Sequence, residues 1–128
     1  MWTIKFSPEA DIDISKLDRS LVLQVLAEIK KVRSNPLPHP NGYGKPLGNK
    51  AGNNLTGFFK IKYRGIGIRV VYSLVLNKQI MNILIISKRD DDECYKMAGA
   101  LYKKYGSSLF DVIGIRRRTV LEKLSLAD

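Results

Sequence analysis

The stretch Phe58-Phe59-Lys60-Ile61-Lys62-Tyr63-Arg64-Gly65-Ile66-Gly67-Ile68-Arg69-Val70-Val71-Tyr72-Ser73-Leu74 decides the fold. Side chains alternate along a strand, so Phe59, Ile61 and Tyr63 point to one face while Lys60, Lys62 and Arg64 point to the other. The next strand must match apolar to apolar, and Val70, Tyr72 and Leu74 can oppose Phe59, Ile61 and Tyr63 only across a loop of two or four residues. Either loop length brings Arg69 onto the basic face. Four cations then share one sheet face with no acid near them in sequence, an arrangement that costs stability unless an anion is bound. The hairpin therefore reads as a surface for nucleic-acid phosphates.

Working outward, Phe58 to Arg64, Ile68 to Leu76 and Gln79 to Ser87 read as three strands of an antiparallel meander, rich in Ile, Val and aromatic residues. Before them, Trp2 to Phe6 alternates and is short, as an edge or terminal strand does. Ser7-Pro8-Glu9 carries the signature of an N-cap followed by proline in the first turn, starting a brief helix to about Ile14. Asp18 heads a second helix, in which Val22, Val25, Leu26, Ile29 and Val32 form one apolar stripe before Arg33 and the Pro36-Leu37-Pro38 breaker.

From Asn35 to Gly57, glycine and proline recur too often for a regular element, and a long, mobile loop is expected. Within it, Tyr43 is a candidate for base stacking. After the meander, the acidic run from Asp90 favours a helix N-terminus, and Cys94, Met97, Ala98 and Leu101 mark a stripe ending near Gly106. The expected architecture is α+β, an antiparallel sheet with helices packed on one face in the order β-α-α-β-β-β-α, over residues 1–106. Residues 107–128 form a C-terminal extension without an assigned role; its Arg116-Arg117-Arg118 run and its Val120, Leu121 and Leu124 fit either a packed helix or a binding arm.

The 22 Lys and Arg outnumber the 12 Asp and Glu, for a formal charge of +10 on 128 residues. No acid occurs between Ile29 and Arg89, 61 residues that hold 12 cations. Average composition would put about seven acids there, so the block favours a polyanionic partner over random surface drift. No apolar stretch is long enough to span a membrane and the N-terminus is not a signal peptide, so a cytoplasmic protein is expected. Cys94 and His39 stand alone, which leaves no Cys/His metal set, and no cofactor is expected.

Metal-free RNA cleavage needs the ribose 2′-OH deprotonated, the phosphorane's charge neutralised and the departing 5′-oxygen protonated. Histidine, the usual proton carrier, is nearly absent. A tyrosine among lysines and arginines is a chemical substitute, because positive charge favours phenolate. Tyr95 lies six residues after Arg89, where a strand end and a helix start can converge. Taken alone, a tyrosine there reads as a core-edge residue.

In combination, Lys45-Pro46-Leu47-Gly48, Gly57-Phe58-Phe59-Lys60-Ile61-Lys62-Tyr63-Arg64, Gly67-Ile68-Arg69-Val70-Val71-Tyr72 and Lys88-Arg89 with Glu93-Cys94-Tyr95 resemble the RelE family of bacterial toxins, within the RelE/ParE superfamily, over Trp2 to Lys104. The resemblance implies helices on an antiparallel sheet and an mRNA endonuclease acting in the ribosomal A site, neutralised by a cognate antitoxin. It implies catalytic roles for Lys60, Lys62, Arg69, Arg89 and Tyr95. Arg64, with Lys45 and Lys88 from the flanking motifs, is assigned to RNA contact. Ser87 stands where the family commonly has glycine, and the triple Asp after Arg89 is more acidic than a phosphate site suggests, which unsettles the placement of Arg89. Two other functions share this fold or this surface: a ParE-like inhibitor of DNA gyrase, and a non-catalytic RNA or ribosome binder. The full set of Lys60, Lys62, Arg69, Arg89 and Tyr95 argues against the first.

Overall fold

Ser7 begins the first helix and also reaches across the molecule. The computed structural model describes residues 2–50, 53–63, 65, 67–88 and 91–106, so Arg64, Arg89 and the extension 107–128 lie outside the described residues. Strand β1 (Thr3–Phe6) leads into α1 (Pro8–Ser15) and α2 (Arg19–Val32). Then come β2 (Lys45–Lys50), β3 (Asn53–Tyr63), β4 (Ile68–Val75), a 3₁₀ turn at Leu76–Lys78, β5 (Ile80–Ser87) and α3 (Asp91–Tyr105). The sheet order is β1-β5-β4-β3-β2. Among the described residues, no helix is long and apolar enough to cross a membrane.

The central hairpin keeps the expected side-chain parity, with Tyr63 opposite Ile68 rather than a member of the Val70, Tyr72 and Leu74 set. Phe59 pairs with Tyr72, Ile61 with Val70 and Lys62 with Arg69, across a four-residue connection, 64–67. The expected stripe of α2 is buried throughout, at Val22, Val25, Leu26, Ile29 and Val32. Asp18 sits at its N-cap without a side-chain cap bond.

Three features depart from the expected architecture. First, the sheet is mixed, because β1 runs parallel to β5 while the other pairs are antiparallel. Second, the Gly/Pro-rich segment does not stay a loop. Its second half forms β2 and extends β3 back to Asn53. An edge strand tolerates Pro46, which has no N–H to offer a neighbour, and Gly48 takes φ +64° where the register shifts between Pro46 and Gly48.

Third, the helices do not share one face. Residues of β1, α1 and α2 form a cluster with Phe59, Ile61, Val70 and Tyr72, whereas Cys94, Tyr95, Ala98 and Leu101 of α3 pack with Leu47, Phe58, Val71, Leu84 and Ile85 on the other side. The reason is visible in β4 and β5, where Val70 to Val75 and Ile80 to Ile86 are buried in unbroken runs. A strand covered on both faces reads as continuous apolar sequence rather than as alternation.

Helix α1 takes over the margin of β5 where β1 ends. Ser7 N–H donates to Ile83 O at 2.9 Å, Ser7 Oγ donates to Leu84 O at 3.0 Å, and Ile86 N–H donates to Asp13 Oδ2 at 3.1 Å. The same Ser7 Oγ accepts from Ala10 N–H at 3.0 Å as the helix cap. Replacing Ser7 with alanine removes a cap and strands a buried carbonyl, with an expected cost of about 1–3 kcal/mol. Urea unfolding checks this; an unchanged midpoint would mean that the hydroxyl contributes nothing.

Candidate functional site

On the face covered by α3, the strand register lines up the cationic residues. Lys45 of β2 stands opposite Lys60 of β3, and Lys60 opposite Val71 of β4. One step along, Lys62 pairs with Arg69, and Arg69 with Ser87 of β5. Lys45 is exposed, while Lys60 and Arg69 are half-buried. Lys62 is described by its place in β3 alone. Lys45, expected within a loop, is thus a sheet residue next to Lys60. The Pro and Gly around it hid the strand.

Helix α3 covers part of this face and leaves the rest open. Its buried stripe carries Tyr95, only 6% exposed and packed in the cluster with Val71, Ile85 and Ala98. Lys60 Nζ donates to the Tyr95 hydroxyl at 2.9 Å, joining residues 35 positions apart. The same Nζ is 5.3 Å from the ring centre, which puts it beyond the phenol oxygen rather than over the ring, so the contact is a hydrogen bond more than a cation–π pair. The arrangement puts the positive charge of Lys45, Lys60 and Arg69 on one sheet face, beside the Tyr95 hydroxyl.

The other expected residues are placed differently. Lys88 is exposed immediately after β5. Tyr43 is not on this face: its ring lies by Lys31 of α2, the helix on the opposite side of the sheet. Asp13, which no sequence pattern singled out, accepts from Ile86 N–H near the end of β5. Seventy-three residues separate the two, and only the folded chain reveals the contact. Among the described residues, no group of three or more His, Cys, Asp and Glu gathers to hold a metal ion.

The C-terminal end of α3 is tied to α1. Lys104 Nζ lies 2.8 Å from Glu9 Oε2, and the Tyr105 hydroxyl donates to the same carboxylate at 3.0 Å. Burial alone pushes the Glu9 carboxyl up, but the bonds from Lys104, its own backbone and Tyr105 outweigh it and hold the group below the usual carboxylate range. Lys104 is raised by its bond to Glu9, and Tyr105 by burial and then by Glu9. A depressed carboxylate stabilises the fold above its unfolded pKa and loses that contribution as the pH falls through the folded one. The raised groups contribute at neutral pH and lose their share in alkali. Thermal melts of wild type and Glu9→Gln are therefore expected to differ most near neutrality and to converge below about pH 4. A constant separation from acid to neutral pH would show that the clamp does not titrate.

No protein-family model matches the chain. A curated Escherichia coli protein described as a putative RelE-like toxin is 26% identical over 98 residues, covering 76% of this chain and 93% of that protein. Among solved structures, the isolated E. coli RelE toxin superposes with TM-score 0.57 at 21% identity, covering 81% of this chain and 99% of the other. The intact E. coli RelBE toxin–antitoxin complex gives 0.58 at 22%, over 70% and 99%. The RelBE2 toxin–antitoxin complex of Mycobacterium tuberculosis gives 0.56 at 24%, over 69% and 98%. The α+β fold is that of these proteins, and one curated sequence relative carries the same description.

Proposed function

We propose that this chain, RelE-like in sequence and in fold, is the toxin of a toxin–antitoxin system and a metal-independent endoribonuclease that cuts mRNA in the ribosomal A site. The observation that carries the reading is the 2.9 Å hydrogen bond from Lys60 to Tyr95 on a sheet face that also bears Lys45 and Arg69. Tyr95, entering the step as a phenolate paired with the Lys60 ammonium and with Lys62 adding positive charge, takes the proton of a ribose 2′-OH and becomes a neutral phenol. The 2′-oxygen attacks the adjacent phosphorus, Arg69 neutralises the phosphorane, and the P–O5′ bond breaks. Arg89 stabilises the charge on the leaving 5′-oxygen, which takes a proton from solvent, and the products are a 2′,3′-cyclic phosphate and a 5′-hydroxyl. Lys45, Arg64 and Lys88 contact the RNA backbone. A cognate antitoxin is the expected protein partner, as in the RelBE complexes that share the fold.

The test is to incubate purified protein with programmed ribosomes and map mRNA ends. Codon-phased cuts with cyclic-phosphate termini support the reading. The near-complete burial of the Tyr95 ring favours one second reading, a non-catalytic RNA binder in which the tyrosine only supports Lys60. That reading requires salt-sensitive binding with no RNA product.

A further inference from the structure

The loop between α2 and β2 is closed by its own hydrogen bonds and leaves an aromatic side chain open to solvent. Tyr43 N–H donates to Asn35 O at 2.9 Å, Asn35 Nδ2 donates to Asn41 O at 2.7 Å, and Gly44 N–H donates to Leu37 O at 3.0 Å. His39 N–H closes the turn onto Gly44 O at 2.7 Å. Behind the loop, the buried Tyr72 hydroxyl donates to Pro36 O at 2.9 Å, and burial pushes that phenol far above its ordinary pKa. A Cβ at Gly42 would lie 2.4 Å from Leu37 O, and one at Gly44 would lie 2.6 Å from the Tyr72 hydroxyl. Glycine on both sides of Tyr43 is therefore a condition of this closed loop.

Tyr43 nevertheless remains 49% exposed. A ring whose purpose was packing would be buried, and a loop that merely joined two elements would not need such close backbone approach. The exposed Lys31 places its Nζ 5.3 Å from the ring centre. An exposed aromatic surface on a hydrogen-bonded loop, with a cation at hand, suits an unpaired nucleobase and its phosphate: the base stacks and the charge is neutralised. Lys30 and Arg33 flank Lys31 within the acid-free block that begins after Glu28. Two residues beyond Tyr43, β2 opens with Lys45, the outermost cation of the face that carries Lys60. Two residues span at most about 7 Å, so the ring on the α2 side adjoins the cationic face on the α3 side around the β2 edge.

We infer that Tyr43 and Lys31 form a second RNA contact, a stacking shelf for one unpaired nucleotide outside the Lys60–Tyr95 site. This rests on the reading above that RNA is the ligand, but not on the chain cutting it.

The test uses the full chain and a fluorescent single-stranded 2′-O-methyl oligoribonucleotide, which lacks the nucleophilic hydroxyl. Tyr43→Ala is expected to weaken binding about 5- to 150-fold, and Tyr43→Phe to bind like wild type. Lys31→Ala is expected to lower the slope of log affinity against log salt by about 0.7. Photocrosslinking of a 5-bromouridine RNA to the unmutated chain is expected to give an adduct on Tyr43, independently of how any variant folds. Unchanged affinity in Tyr43→Ala with no adduct at Tyr43 overturns the shelf, as does a wild-type chain that does not bind the oligonucleotide. Binding through Tyr43 without cleavage of natural RNA leaves the shelf standing and removes the nuclease. Cleavage with Tyr43→Ala binding normally removes the shelf alone.

Discussion

Replacing Tyr95 with phenylalanine is expected to slow mRNA cleavage by about 10²- to 10⁴-fold, the range ascribed to a positioned acid or base. The change deletes one oxygen and leaves the ring in its cluster with Val71, Ile85 and Ala98. Its effect on folding is correspondingly small, about 1 kcal/mol for the lost Lys60 bond. RNA affinity should persist, because Lys45, Lys60 and Arg69 remain. Single-turnover cleavage on programmed ribosomes, with anisotropy for binding and a urea melt for stability, separates these three effects. Full cleavage by Tyr95→Phe would exclude the tyrosine from the chemistry and return Tyr95 to a structural part.

Phe58→Ala is expected to give the largest loss of stability, about 3–5 kcal/mol, against a total of about 5–15 kcal/mol for a domain of ordinary stability. Phe58 is fully buried beneath α3 and meets Tyr102 edge-on, with ring centres 6.0 Å apart. The cavity opens between β3 and the helix that carries Tyr95, so activity should fall with stability. Phe58→Leu fills most of that space and should lose about 1.5 kcal/mol or less. Urea unfolding of both variants decides the matter; similar midpoints for Ala and Leu would show that α3 settles into the gap.

Side-chain parity made the faces of the central hairpin legible: Phe59 and Ile61 had to oppose apolar residues of β4 and Arg69 had to join the lysines, whereas the pairing of Phe59 with Tyr72 and of Lys62 with Arg69 is one of several registers that parity allows. The Ser7 cap and the α2 stripe were equally local, set by residues within a few positions of one another. Strand β2 was not legible, because Pro46 and Gly48 are breakers in isolation and acceptable at an edge with a register shift. The side on which α3 packs was hidden for a different reason. Burial of Val71 and Ile85 says that something covers them, not what. The meeting of Lys60 with Tyr95 depends on that packing, so alternation could supply the lysine's face and nothing about its partner.

The two ends of the Tyr95 side chain answer to different demands, since its carbon ring fills the α3 cluster and its oxygen meets Lys60. A library screened for solubility would accept phenylalanine at this position at a cost of only about 1 kcal/mol for the lost Lys60 bond, so a fold-based selection holds the hydroxyl weakly. If the hydroxyl serves the proposed toxin chemistry, survivors of unopposed expression would lose tyrosine at 95, while growth inhibition would require it. Tyrosine frequency at 95 in such paired selections would read the two demands apart without a kinetic measurement.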